Sequence, residues 1–195
     1  MPRHPLAALA LALAATTLAS SAVRAQGPPN PEVLISAQRA AMAPLARLDG
    51  VWRGPAWALL PDGRRIEVTQ TERVGSFLDG SVKVIEGRAY DAEGKVVFNA
   101  FAVISYNPGR QAYSLRSWAQ GQSGDFVLTP NADGYVWEIP AGPMTIRYTA
   151  VIRAGTWHEV GERIMPGQPP VRFTELTLRR AGDTDWPGAG AVPRQ

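Results

Sequence analysis

The 195-residue chain contains no cysteine. Disulfides, thiolate metal sites, thiol nucleophiles and a lipid-anchored N-terminal Cys are therefore excluded. Histidine is nearly as scarce: after His4 there is only His158. His158-Glu159-Val160-Gly161-Glu162 gives half of a zinc-protease motif, without the second His and in a segment that reads as a strand. Lysine is limited to Lys83 and Lys95, and no basic run of five or more occurs, so no nucleic-acid partner is indicated. After the first eighteen residues there is no long apolar run, and hence no membrane span once the leader is removed. No phosphate loop, dinucleotide fingerprint or EF-hand spacing appears, and Gly121-Gln122-Ser123-Gly124 lacks the spacing of a nucleophile elbow. No cofactor is implied.

What is present begins with an export signal. Arg3 supplies a positive start, Leu6–Leu18 an Ala/Leu-rich apolar run, and Val23-Arg24-Ala25 small residues at cleavage spacing. Residues 1–25 are thus expected to be removed, placing the protein in the periplasm or outside the cell. Without Arg3 and Arg24 the formal charge of +3 falls to about +1. Residues 26–47 read as an arm and one short helix. Asn30 suits its cap, Pro31 its first turn, and Val33, Leu34, Ala37 and Ala41 its apolar stripe. The helix is expected either to plug one end of the domain or to dock loosely against it.

After Gly50 the periodicity becomes alternating and stays so. Short turns such as Pro61-Asp62-Gly63, Asn107-Pro108-Gly109 and Ala154-Gly155 separate about ten strand-like runs with no helix between them. Such a meander is expected to close into an all-β, antiparallel, up-and-down barrel over residues 48–180, because closure removes both edges. A sandwich would require longer crossing connections. Residues 181–195 read as an irregular tail. Residues 96–106, VVFNAFAVISY, are apolar on both faces, which points to a homodimer or another partner contact on one of them.

Gly50-Val51-Trp52 resembles the Gly-x-Trp that opens the first strand of lipocalin-like (calycin-type) barrels. The segments LDGVWRG, LDGSVKVIEG, FNAFAVISYNP and RSWAQGQSGDF look like those of exported bacterial proteins of a domain-of-unknown-function family with a ten-stranded lipocalin-like barrel. The resemblance spans most of the chain after the leader but ties no motif to a chemistry. It implies that Trp52 closes one end of the barrel against Arg179 or Arg180. The lipocalin Thr-Asp-Tyr turn is missing, since Thr184-Asp185-Trp186 lies in the tail, and so is the helix after the barrel. The strand count is nearer that of fatty-acid-binding and nitrobindin-like barrels. With one His after the leader, haem binding is not carried over.

Strand parity supplies the candidate site. If Ile66, Val84, Ile146 and Phe173 face inward, residues two apart from them do so too. That puts Gln70, Glu72, Glu86, Tyr148 and Glu175 inside, with Trp137 in phase with Tyr135, Glu159 in phase with Trp157, and Arg116 sharing a face with Trp118. The eight candidate ligand contacts are therefore Glu72, Glu86, Arg116, Trp118, Trp137, Tyr148, Glu159 and Glu175. A bulge or slip at Gly75 or Gly87 would reverse a whole face. Three readings follow. The barrel binds a small apolar or amphipathic ligand as a carrier, scavenger or sensor, with Arg116 at its polar end. It is a hydrolase or isomerase using internal carboxylates such as Glu86 and Glu159. Or it is a filled structural barrel.

Overall fold

A computed structural model of the chain describes Asn30–Pro187. The segment read as an export signal and the last eight residues of the tail lie outside the described residues. Helix α1 (Pro31–Met42) is followed by a 3-10 turn (Ala43–Leu48) and ten strands. These are β1 (Gly50–Leu59), β2 (Arg65–Phe77), β3 (Val82–Tyr90), β4 (Val96–Asn107), β5 (Ala112–Ala119), β6 (Gln122–Pro130), β7 (Gly134–Ala141), β8 (Met144–Arg153), β9 (Thr156–Ile164) and β10 (Val171–Gly182). Each strand pairs antiparallel with the next, and β1 pairs with β10, so the meander closes into a barrel as expected.

The start of α1 follows from local chemistry. Asn30 caps the helix by accepting from the Glu32 amide at 2.9 Å, and Pro31 occupies the first turn. The first two turns of α1 leave Val33 and Ile35 exposed, but Met42, Leu45 and Leu48 are buried. They join Trp52, Val74, Ile104, Leu115, Leu128, Ile152, Trp157 and Leu178 in one apolar cluster. The chain between α1 and β1 is thus a plug filling one end of the barrel. Tyr113 donates to the Ala41 carbonyl at 2.6 Å, and Arg47 to that of Ala132 at 2.7 Å, fastening the plug to the rim.

The Gly-x-Trp has a physical explanation here. Gly50 has φ of +136°, and a Cβ on it would lie 2.8 Å from the Gly182 carbonyl oxygen. Trp52 is fully buried, donates its indole N–H to the Leu48 carbonyl at 2.8 Å, and meets Trp157 edge-on at 5.8 Å. Arg180 is its partner in the β1–β10 register, with its guanidinium on the Asp49 carbonyl. Arg179 points elsewhere, to the Thr156 hydroxyl. Beside this closure Lys83, almost wholly buried, engages Asp49 and the Ser76 hydroxyl. Burial holds its pKa below the usual lysine value, against the pull of Asp49.

β3 corrects one expectation of parity. Lys83 at the plugged end, and Ile85, Gly87 and Ala89 along the cavity, are the inward residues; Val84 and Glu86 lie on the other face. The apolar run in β4 divides between two faces. Phe98, Ala100, Ala102 and Ile104 line the interior, whereas the Phe101 side chain lies outside, exposed and 6.0 Å from Trp118.

Trp52→Ala would remove both the wedge and its hydrogen bond to the plug. It is expected to cost about 3–5 kcal/mol of stability, measured by urea unfolding. A loss below about 1 kcal/mol, within the range of a surface substitution, would show that Trp52 does not hold the closed end.

Candidate functional site

Away from the plug the barrel is hollow. A cavity of about 830 Å³ opens at the end bounded by the β1–β2, β3–β4 and β5–β6 turns. Its walls are mostly apolar, and among the described residues its lining carries three charged side chains: Glu72, Glu159 and Arg163. Arg163 lies towards the mouth with its guanidinium 4.8 Å from the centre of the Phe173 ring. The two carboxyls sit at the base, above the plug.

Glu72 comes inward because β2 alternates without interruption through Ile66, Val68, Gln70, Glu72 and Val74. Its carboxyl occupies the space over Gly87, where a Cβ would lie 2.6 Å from Oε1. The inward glycine of β3 is thus the room that Glu72 requires. The Gln70 amide donates to Glu72 Oε1 at 2.7 Å. Glu159 comes inward from β9 in phase with Trp157 and Gly161. Its Oε2 accepts from the Tyr135 hydroxyl at 2.7 Å and from the Trp157 indole at 3.3 Å.

Burial pushes the Glu72 carboxyl up to about 8, against the Gln70 hydrogen bond, and the charges of Glu159 and Glu86 push in the same direction. Burial also raises Glu159, opposed by its bonds from Tyr135 and Trp157. Tyr135 and Tyr148 are raised as well, Tyr148 to about 12, chiefly by burial and then by the Glu159 charge. At neutral pH Glu72 is therefore a neutral acid inside the barrel.

An aromatic wall faces these acids. Trp137 and Tyr148 are register partners on β7 and β8, and their rings stack at 4.3 Å with 7° between planes. Phe126 lies 5.5 Å from Trp137, and Phe173 lies 5.9 Å from Tyr148. Gly161 on β9 leaves room for this edge, since a Cβ there would lie 2.9 Å from the Tyr148 ring.

Four of the eight candidate contacts therefore line the cavity: Glu72, Trp137, Tyr148 and Glu159. The other four do not. Glu86 pairs with Arg88 on the outside of β3. Arg116 pairs with Asp125 across β5 and β6, and Trp118 beside it is 40 % exposed; Leu115, Ser117 and Ala119 are the inward residues of that strand. Glu175 points outward to Trp57, His158 and Arg172. Its parity is reversed by a bulge: Arg172 pairs with Glu162 and Thr174 with Gly161, leaving Phe173 as the extra residue. Phe173 and Thr174 both line the cavity, so Glu175 is turned out. Tyr135 and Gln70, which hold the two acids, were legible as inward positions but carried no sign of their partners. Among the described residues no imidazole lines the cavity, and His158 is engaged with Glu175 on the outer face. Among the described residues no group of three His, Asp or Glu is placed to hold a metal.

No family model matches the chain, and no curated protein matches it. The barrel is similar to Rv2717c from M. tuberculosis, a solved structure. The TM-score is 0.55 at 14 % identity, and the match covers 72 % of this chain and 96 % of that one. At that identity the likeness concerns the fold alone.

The raised Glu72 has a consequence for stability. Its folded pKa of about 8 lies above the ordinary 4.5, so the folded state holds a proton that the unfolded chain releases. The associated stability is complete at low pH and is lost as pH rises towards 8. Glu72→Gln is expected to leave the melting temperature nearly unchanged at pH 5 and to raise it by about 4 °C or more at pH 8.5. Parallel melting curves for the two proteins across that range would show that Glu72 is not held protonated.

Proposed function

We propose that this chain is a binding barrel for a small, partly apolar molecule, acting as a carrier, scavenger or sensor. The single observation that carries this reading is the cavity of about 830 Å³, apolar in its walls and polar at its base. Its size falls within the range of small-molecule sites, and convergent polar groups in an apolar pocket are what fix a ligand's orientation. A barrel kept only for structure would gain stability by filling that space. The polar end of the ligand meets Glu72 and Glu159, not Arg116. The resemblance to lipocalin-like exported proteins supports the same reading and suggests action in the periplasm or outside the cell.

Nile red, a neutral apolar dye, tests the proposal. It is expected to bind the full chain with micromolar affinity and blue-shifted emission. Ala102→Trp and Ser117→Phe, two inward substitutions on neighbouring strands, should each abolish the signal, and Arg116→Ala should leave it intact. A dye that does not bind, or that binds the two filled variants equally well, would remove the cavity as a ligand site.

Acid–base catalysis is a second reading, favoured by one feature: a carboxyl kept neutral to about pH 8 faces a second carboxyl in the same cavity. It requires turnover of a bound substrate that is lost in both Glu72→Gln and Glu159→Gln.

A further inference from the structure

The base of the cavity holds two acids, and the Gln70, Tyr135 and Trp157 donors beside them are engaged. The Gln70 amide donates to Glu72 Oε1 and, at 3.5 Å, to the Thr71 carbonyl. The Tyr135 hydroxyl and the Trp157 indole both donate to Glu159 Oε2. No donor side chain among these is left for a ligand. Glu72 is 9 % exposed, yet among the described residues its Oε2 receives no hydrogen bond. That oxygen opens onto the cavity, and once the carboxyl is ionised it has room to accept from a ligand donor.

The surrounding charges select the sign of what completes it. Glu72 on β2 and Glu159 on β9 are the two acids of the base, and the charge of Glu159 opposes ionisation of Glu72. Tyr135 on β7 and Tyr148 on β8 are the other titratable groups facing them, with Glu86 of β3 and His158 of β9 behind them on the outer surface. The residues of β1, β4, β5, β6 and β10 that line the cavity carry no charge. Arg163, the one cation of the lining among the described residues, is stacked on Phe173 towards the mouth. An anionic ligand end would find two acids and no cation at the base, whereas a cationic donor would find two carboxyls to accept from it. The rings of Trp137, Tyr148 and Phe126 suit the body of an aromatic molecule, and a ring face attracts positive charge.

We infer that the cavity takes an organic amine, its ammonium group placed between Glu72 and Glu159 and its apolar body against the Phe126–Trp137–Tyr148 wall. This rests on the binding role proposed above and names the ligand's class. It has a proton balance. The free site holds a proton on Glu72 near neutrality; the ammonium ion favours the carboxylate, so that proton leaves to solvent as the amine binds. Affinity must therefore rise with pH up to about 8 and level off above it, until the amine itself loses its charge near the ordinary alkylamine value of roughly 10.

Three molecules of one shape test the idea by calorimetry on the full chain: tryptamine, tryptophol and indole acetate. Tryptamine should bind, gaining up to about tenfold in affinity per pH unit between pH 6 and pH 8. Titration at pH 7 in two buffers of different ionisation enthalpy should show release of about one proton per amine. Tryptophol, the neutral analogue, should bind at least about tenfold more weakly at pH 8, without a rise, and indole acetate should bind least. Glu72→Gln with Glu159→Gln should abolish the preference for the amine while Nile red still binds, which also shows that the variant is folded. If Nile red binds but tryptamine and tryptophol bind equally at pH 8, or the acid binds as well as the amine, the inference is overturned and the binding role stands. If neither the dye nor any of the three enters, both fall.

Discussion

The closure of β1 on β10 is the constraint from which the rest of the structure follows. Once ten strands are joined in a ring, no edge remains to be protected, but the ring is too wide for its own inward side chains to fill. Something else must occupy the interior, or it stays hollow. At one end the chain supplies the filling itself. Met42, Leu45 and Leu48 descend from the segment before β1, and Trp52 locks that segment to the barrel through the Leu48 carbonyl. At the other end nothing from the described chain enters. Plug and cavity are two consequences of one strand count.

That division explains what the sequence disclosed and what it concealed. Strand number, meander and closure were legible, because turns rich in Gly, Asn and Asp separate alternating runs throughout. Inward positions were legible on β2, β7, β8 and β9, where Glu72, Trp137, Tyr148 and Glu159 follow an unbroken alternation. They were misread on β3 and β5 because a hollow barrel inverts the usual signal. Its interior demands small residues, so Gly87, Ala89, Ser117 and Ala119 face in while Val84 and Trp118 face out. Lys83 adds to the inversion, since a lysine is not expected inside until Asp49 and Ser76 are seen beside it. On β10 the failure is of a different kind. A single extra residue at Phe173 turns Glu175 outward, and no feature of the segment VRFTELTL marks the bulge.

Glu72 and Gly87 show the same logic at the level of a pair. A carboxyl of this size can lie against the wall only where the neighbouring strand has no side chain, and β3 provides that gap at one position. The glycine in turn weakens the strand it belongs to. Folding alone does not account for the pair, since an apolar residue in place of Glu72 would remove a desolvated acid.

Two acids kept in an apolar cavity, each with its hydrogen bonds arranged to favour the charged form, represent a state held short of its own optimum. Gln70, Tyr135 and Trp157 prepare the carboxylates, yet without a counter-charge burial prevails and Glu72 stays protonated to about pH 8. A cation entering the base would reverse that balance without moving the backbone, because the donors already sit where the charged form needs them. Its binding would then stabilise the fold as well, by supplying the charge that the empty barrel lacks. The rigidity of the closed end matters to this outcome. Trp52, Trp157 and the plug are packed beneath the acids and leave the base little freedom to collapse onto them.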